Sequence, residues 1–475
     1  MAFARILRAS ALMGGAQVVI LAAAFVRAKA IAIILGASGV GLIGIFNAFS
    51  GNVSSFAGWG LGTSGVRLIA GAPEEEKPAK VAAVRWMGWT LSLLGLALAL
   101  ILFWPVGSVT FASSQYAIEM AIVACAVPCV IASLTWSAIL QAAGKIASLA
   151  KVQISGALTG LLLGLPAIYF WGTIGIAISI FLAAAVPAFV LWRAARAECQ
   201  VSAGFSAQSE DLGRLVKLGG ALMLVGWLGQ LSAYLVRLAI VRQEGLDAAG
   251  YYQAAFAISG SLPGFVFAAM GADFFPRVAG AQNDSVAVKV VERQIQAGLL
   301  LSVPFIAVMI MFKAECVRLL YSPGLDPSAQ LVPWMSWAVY TRIISWPMGF
   351  WLIARGAPTV VMVIESSASL LTVIASTVLL ALSGTIGASI GTLAAAAAYL
   401  TTLVLLLRFK SGARFSTLTW QAVAASAILL GAAQCLSLAE APNWVRMTFG
   451  AFLTGLSVWG YFKVTHSPAI HDDET

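Results

Sequence analysis

Arg27, Lys29, Arg237 and Arg342 stand inside long apolar stretches of this chain, where a basic side chain is out of place unless it has something to bind. At a bilayer centre an Arg or Lys costs roughly 2.5 to 3.5 kcal/mol on insertion scales, so such residues persist only beside water, a counter-charge or an anionic ligand. Arg offers paired donors to phosphate and Lys a point charge, so the four suggest a cationic interior suited to a phosphate-bearing substrate. Arg342 lies nearest the middle of its stretch. Arg27 and Lys29 are two residues apart, hence on different faces of a helix, and at least one should line the interior. Arg237 lies toward the end of its stretch and is also placed to snorkel. Glu119 and Glu365 are candidate coupling carboxylates for H+ or Na+, with an interfacial charge or an ion pair to an intramembrane Arg as the alternative. Asp273 with Arg277 forms a candidate inner gate.

Other chemistries find little support. His466 and His471 lie in the polar C-terminal tail, and the five cysteines include no CxxC pair, so a metal site is not expected. No Gly-rich loop ending in Lys-Ser/Thr is present, so ATP hydrolysis is not expected and neither is any cofactor. Gly39, Gly41 and Gly44 match a dinucleotide-loop spacing without its strand context, and read instead as a turn and small residues between packed helices. Gly160, Gly164, Gly384, Gly387 and Gly391 read the same way.

These residues must be held by membrane helices. The 475 residues are 60% hydrophobic and only 10% charged, with a mean hydropathy of +0.93, far beyond the roughly 45 to 50% apolar content of soluble domains. Stretches of about 20 apolar residues, enough to span a bilayer, fall near 11–35, 42–69, 82–106, 117–141, 151–171, 174–192, 218–241, 251–272, 296–312, 331–354, 359–382, 385–407, 418–438 and 444–463. The fold expected is an all-α polytopic membrane protein of about 14 transmembrane helices. The first stretch has the outline of a signal peptide, but its apolar run resumes at Ile31, which favours an uncleaved span.

The net charge of +9 suggests nucleic acid until the basic residues are placed. With the N-terminus inside, twenty fall in inner connections and four, Arg242, Lys313, Arg318 and Arg446, in outer ones. That asymmetry is the topology signal of cytoplasmic loops and places both termini in the cytoplasm; no nucleic-acid face emerges.

The charged connection 193–217 divides the chain after six spans. Beyond it, Gly250 to Gly260 echoes Gly41 to Gly51 at a constant offset of 209, and Arg237 parallels Lys29 with a one-residue gap. The organisation expected is an N-lobe over 1–197, a C-lobe over 198–410 and a two-helix extension with polar tail over 411–475. Six spans per half make the pseudo-repeat parallel, with substrate between the lobes in a central cavity.

Lys29 to Leu42 and Gly58 to Arg67, then Asp273 to Arg277, Leu319 to Ser322, Ser345 to Pro347 and Ala354 to Gly356, resemble bacterial Wzx-type O-antigen translocases, polysaccharide flippases of the multidrug/oligosaccharidyl-lipid/polysaccharide exporter superfamily. The resemblance covers most of the first twelve spans and leaves out the last two. It implies two six-helix lobes and, as cargo, an undecaprenyl-diphosphate-linked glycan carried across the bacterial inner membrane, with other polysaccharide-assembly membrane proteins as partners. A lipid II flippase and a cation-coupled multidrug exporter share that fold. A membrane glycan polymerase or ligase is the alternative from another class, but it would want a larger outer loop than 313–330.

Overall fold

A computed structural model describes residues 2–199, 209–281, 283–411 and 415–465; side chains at 2–14, 262–273 and 458–465 are among those outside the description. The described elements are helices: α1 (Ala2–Ala57), α2 (Leu61–Ala70), α3 (Lys77–Phe111), α4 (Ala117–Ala142), α5 (Ile146–Leu162), α6 (Gly164–Glu198), α7 (Ser209–Glu244), α8 (Leu246–Ala279), α9 (Asp284–Met311), α10 (Lys313–Leu320), a short 3-10 helix (Pro323–Gln330), α11 (Val332–Ala354), α12 (Pro358–Ser411), α13 (Thr417–Leu438) and α14 (Asn443–Thr465). Among the described residues seven helices are long and apolar enough to cross a membrane. Large side chains such as Leu93, Ile101, Trp104 and Phe170 are more than half exposed, which suits a lipid solvent and not water.

Three of these helices are each two helices joined at a break. Gly36 has φ 69° and ψ −159°, and Gly384 has φ 64° and ψ −155°, a region open essentially to glycine alone. A third break falls at Gly172. All three lie between stretches that the sequence pattern separates. The expected span 42–69 differs: helix runs over 37–57 and again as α2, because Trp59 and Gly60 take positive φ between them.

Beyond the Gly172 break the chain folds back on itself. Gly156, Gly160 and Gly164 step every four residues and meet Pro187, Ala183 and Ser179 in reverse order. This is the close packing of small residues that membrane helices use in place of a hydrophobic drive. Gly391 approaches the backbone of Ser376 in the same way across the Gly384 break.

The element order recurs. Residues 2–35 and 37–57, α3, α4 and the α5–α6 pair return as α7, α8, α9, α11 and α12. Gly36 and Gly245, each of positive φ, precede the second helix of each set. A Cβ added at Gly41 would collide with the Leu246 carbonyl, and one at Gly250 with the Ala37 carbonyl. Both pairs are related by the offset of 209, as is Gly44 against Gln253. The contact is therefore reciprocal, as a two-fold relation requires.

By packing, the chain forms two compact units, Met1–Gln253 with Leu320–Gly324, and Ala254–Leu319 with Leu325–Thr475. Although α7 follows the charged connection, it packs on α1, α2 and α3 in the first unit. Lys80 Nζ lies 3.0 and 3.2 Å from the two carboxylate oxygens of Asp211, and the Trp59 indole N–H donates to the Val216 carbonyl at 2.9 Å. In the second unit α9 is central, with Ile295, Ile306 and Ile310 buried among Ile343, Trp351 and Leu430. Polar contacts tie α13 there: Trp337 donates to Gln434 at 2.6 Å, Tyr340 donates to the Val423 carbonyl at 2.8 Å, and Thr419 donates to Glu292 at 3.1 Å.

Candidate functional site

Within the first unit α1, α4, α5 and α6 line a partly open cavity of about 380 Å³. Its polar lining is Arg27, Ser133, Ser137 and Gln153, and half of its apolar lining is small: Ala23, Ala24, Gly156, Ala157 and Ala183. Gly160 makes room for the guanidinium: a Cβ there would stand 3.1 Å from Arg27 Nη1. Arg27 has no ion pair or hydrogen bond among the described residues. Ser133 Oγ is buried and also has no hydrogen-bond partner among the described residues. An unpaired cation and an unpaired hydroxyl facing one space make a site for an anion that accepts hydrogen bonds. The lining comes from the late turns of α4 and α6 and the early turns of α5, the end that carries Lys145, Lys151, Arg193 and Arg196.

The other basic residues are placed differently. Lys29 is half-buried and does not line this cavity. Arg237 is 6% exposed; its Nε donates to Gln253 Oε1 at 2.9 Å and its Nη1 to the Ala233 carbonyl at 2.8 Å. It joins α7 to α8 as a buried polar clamp instead of presenting an open charge.

Arg342 lies in the second unit with Glu365. Arg342 Nη2 donates to Glu365 Oε1 at 3.1 Å, and the Tyr399 hydroxyl donates to the same oxygen at 2.6 Å. The guanidinium carbon is 4.9 Å from the Tyr399 ring centre, within range for a cation–π contact. Glu119 is 5% exposed and accepts a hydrogen bond from Thr173 at 2.7 Å, just past the Gly172 break. Arg277 is exposed, while the Asp273 side chain lies outside the described residues.

Ser133, Ser137, Gln153 and Tyr399 were not singled out by sequence reasoning. Ser133 and Ser137 carried a signal: two hydroxyls four residues apart mark one polar face on an otherwise apolar helix. Nothing in the sequence pairs Tyr399 with a carboxylate 34 residues earlier.

The family model described as polysaccharide biosynthesis protein matches residues 6–282. The chain belongs to that family. In this polysaccharide biosynthesis protein the match takes in Arg27, Lys29, Glu119 and Arg237, while Arg342 and Glu365 lie beyond it. No curated protein sequence matches the chain. Among solved structures it is similar to the lipid II flippase MurJ in an inward closed conformation, at 14% identity and TM-score 0.76, covering 97% of this chain and 100% of that one, so the likeness extends into α13 and α14. It is also similar to an inward-facing multidrug resistance MATE family transporter of the MOP superfamily, at 16% identity and TM-score 0.70 over 82% of this chain and 94% of that one. A MOP superfamily transporter from Pyrococcus furiosus follows at 14% identity and TM-score 0.57, covering 84% of this chain and 95% of that one. At these identities the likeness establishes the fold: the all-α architecture of MATE and MurJ.

Proposed function

We propose that this polysaccharide biosynthesis protein is a flippase for an undecaprenyl-diphosphate-linked oligosaccharide, an O-antigen or related repeat unit, moved from the inner to the outer leaflet of the bacterial inner membrane by alternating access. The observation that carries this reading is Arg27, a cation with no ion pair or hydrogen bond among the described residues, lining a cavity beside Ser133, Ser137 and Gln153 in a chain made of membrane helices. The diphosphate supplies the missing counter-charge, and Ser133, Ser137 and Gln153 supply donors to its oxygens. A volume of about 380 Å³ stands at the low end of the roughly 300 to 1,000 Å³ of small-molecule sites. It admits a phosphate headgroup and leaves the glycan outside, while the polyprenyl tail stays in lipid. The positive-inside count assigns the basic end of α4, α5 and α6 to the cytoplasm, the side from which such cargo loads. Coupling to H+ or Na+, if used, falls to Glu119 or Glu365.

A drug exporter for organic cations would need open carboxylates. Here Glu119 is bonded to Thr173 and Glu365 to Arg342 and Tyr399. A lipid II cargo shares the diphosphate, and the likeness to MurJ keeps it as the second reading. The deciding experiment depletes the protein in cells with no redundant flippase and measures how much lipid-linked glycan is accessible to an external glycan-modifying enzyme. Accumulation on the cytoplasmic side is expected, and the identity of the accumulated glycan separates O-unit from lipid II. An unchanged leaflet distribution refutes the proposal.

A further inference from the structure

The cluster of Arg342, Glu365 and Tyr399 is built unlike an ion pair meant to stay closed. Arg342 is its most open member, with 42% of the side chain exposed against 22% for Glu365, and Tyr399 is 5% exposed. The bond between the charges is single: Nη2 reaches Oε1, and Glu365 Oε2 has no partner among the described residues. A guanidinium is a planar fork that favours two parallel bonds to an oxyanion, so this carboxylate holds it in the weaker of its two modes. Tyr399 gives its hydroxyl to the carboxylate and its ring face to the cation.

The geometry points to Arg342 as a second phosphate site, one that Glu365 occupies while no cargo is bound. This rests on the reading of the cargo as a diphosphate-linked lipid. An arriving phosphate engages the open fork through two bonds, and because two anions on one guanidinium repel each other, the carboxylate is displaced. Tyr399 keeps a hydrogen bond on Glu365 when that happens, so the displaced carboxylate is not left buried without a donor. The return of Glu365 then helps expel the phosphate. A self-occupied site of this kind binds cargo weakly enough to release it, which a carrier needs as much as it needs capture.

The test uses the purified full chain in lipid nanodiscs, with farnesyl diphosphate as probe and farnesol as control for the tail. Glu365→Gln removes the internal competitor and binds farnesyl diphosphate about two- to fivefold more tightly than the unaltered protein, the range set by a partly exposed ion pair. The gain disappears when Arg342→Gln is added, and farnesol binding does not change. Glu365→Asp, which keeps the charge but shortens its reach, gives a smaller gain and serves if the Gln variant does not fold. Equal or weaker binding by both variants overturns the inference, as does a gain that persists without Arg342, which marks a general charge effect. Binding that falls in Arg27→Gln but ignores Glu365 overturns this inference alone. No binding by the unaltered protein or any variant overturns the flippase reading with it.

Discussion

Replacing Arg27 by Gln should separate binding from stability, because this guanidinium has no ion pair or hydrogen bond among the described residues. A charge-assisted hydrogen bond is worth roughly 1.5 to 3 kcal/mol, so its loss weakens binding of a diphosphate probe about 10- to 150-fold at 1.4 kcal/mol per tenfold. Stability should move the other way or not at all. The change orphans no group, and it removes a charge whose burial costs roughly 2.5 to 3.5 kcal/mol at a bilayer centre. Arg237→Gln is the control. Arg237 is buried and donates to Gln253 and the Ala233 carbonyl, and stranding such acceptors costs about 1 to 3 kcal/mol. Thermal unfolding of both purified variants, beside farnesyl diphosphate binding, makes the comparison. The reasoning is refuted if Arg27→Gln unfolds as early as Arg237→Gln, or if it binds the diphosphate as the unaltered protein does.

Other outcomes follow from contacts already described. Gly250→Ala sets a methyl group against the Ala37 carbonyl, an overpacking cost of about 1 to 3 kcal/mol. Gly44→Ala presses on the Gln253 side chain at 2.9 Å, the acceptor of the Arg237 hydrogen bond, and should lower the unfolding midpoint by less than Gly250→Ala in the same thermal assay. Asp211→Ala should lower the unfolding midpoint by removing the buried partner of Lys80 and leaving it only the exposed Glu76 at 3.2 Å, and adding Lys80→Met should restore part of it, since an apolar pair replaces a buried ionic one at little cost. Outside the membrane helices, Arg318 donates to both oxygens of Asp326, and that hydrogen bonding holds the Asp326 carboxyl below the usual range. Its contribution is full above the unfolded carboxyl value of about 3.9 and is lost as pH falls through the lower folded value. Hydrogen exchange over residues 313–330, corrected for intrinsic rates, should show order kept at pH 5 and lost only in stronger acid, with Asp326→Asn loosened at every pH.

Much of the backbone plan could be read from residue types alone. The breaks at Gly36, Gly172 and Gly384 fall where apolar stretches adjoin, because a one-residue reversal of a helix needs glycine torsions. The repeat was visible because Gly41 and Gly250 are held by mutual backbone contact, which penalises a side chain at either position. The opposed faces of Arg27 and Lys29 followed from helical geometry. What one basic residue does in its setting did not follow. An ion pair to an intramembrane Arg was one reading of Glu365, but Arg237 and Arg342 look alike in sequence, and nothing there told which would take the carboxylate and which would be clamped by an amide. Lys80 and Asp211 meet across 131 residues. Such pairings depend on the azimuth at which helices pack, which a hydropathy pattern does not encode.

The reciprocal contact of Ala37 with Gly250 and of Gly41 with Leu246 is what two copies of a single six-helix chain would make about their dyad. A homodimer must carry every substitution twice, so no position on its axis can serve one partner alone. Joining the copies in one polypeptide lifts that restriction. The position that remains glycine at residue 44 is the amide at residue 253 that clamps Arg237. One half holds Arg237 with that amide, and the other has no side chain at the matching place to hold a cation with: a difference between halves that an obligate pair of identical chains could not carry.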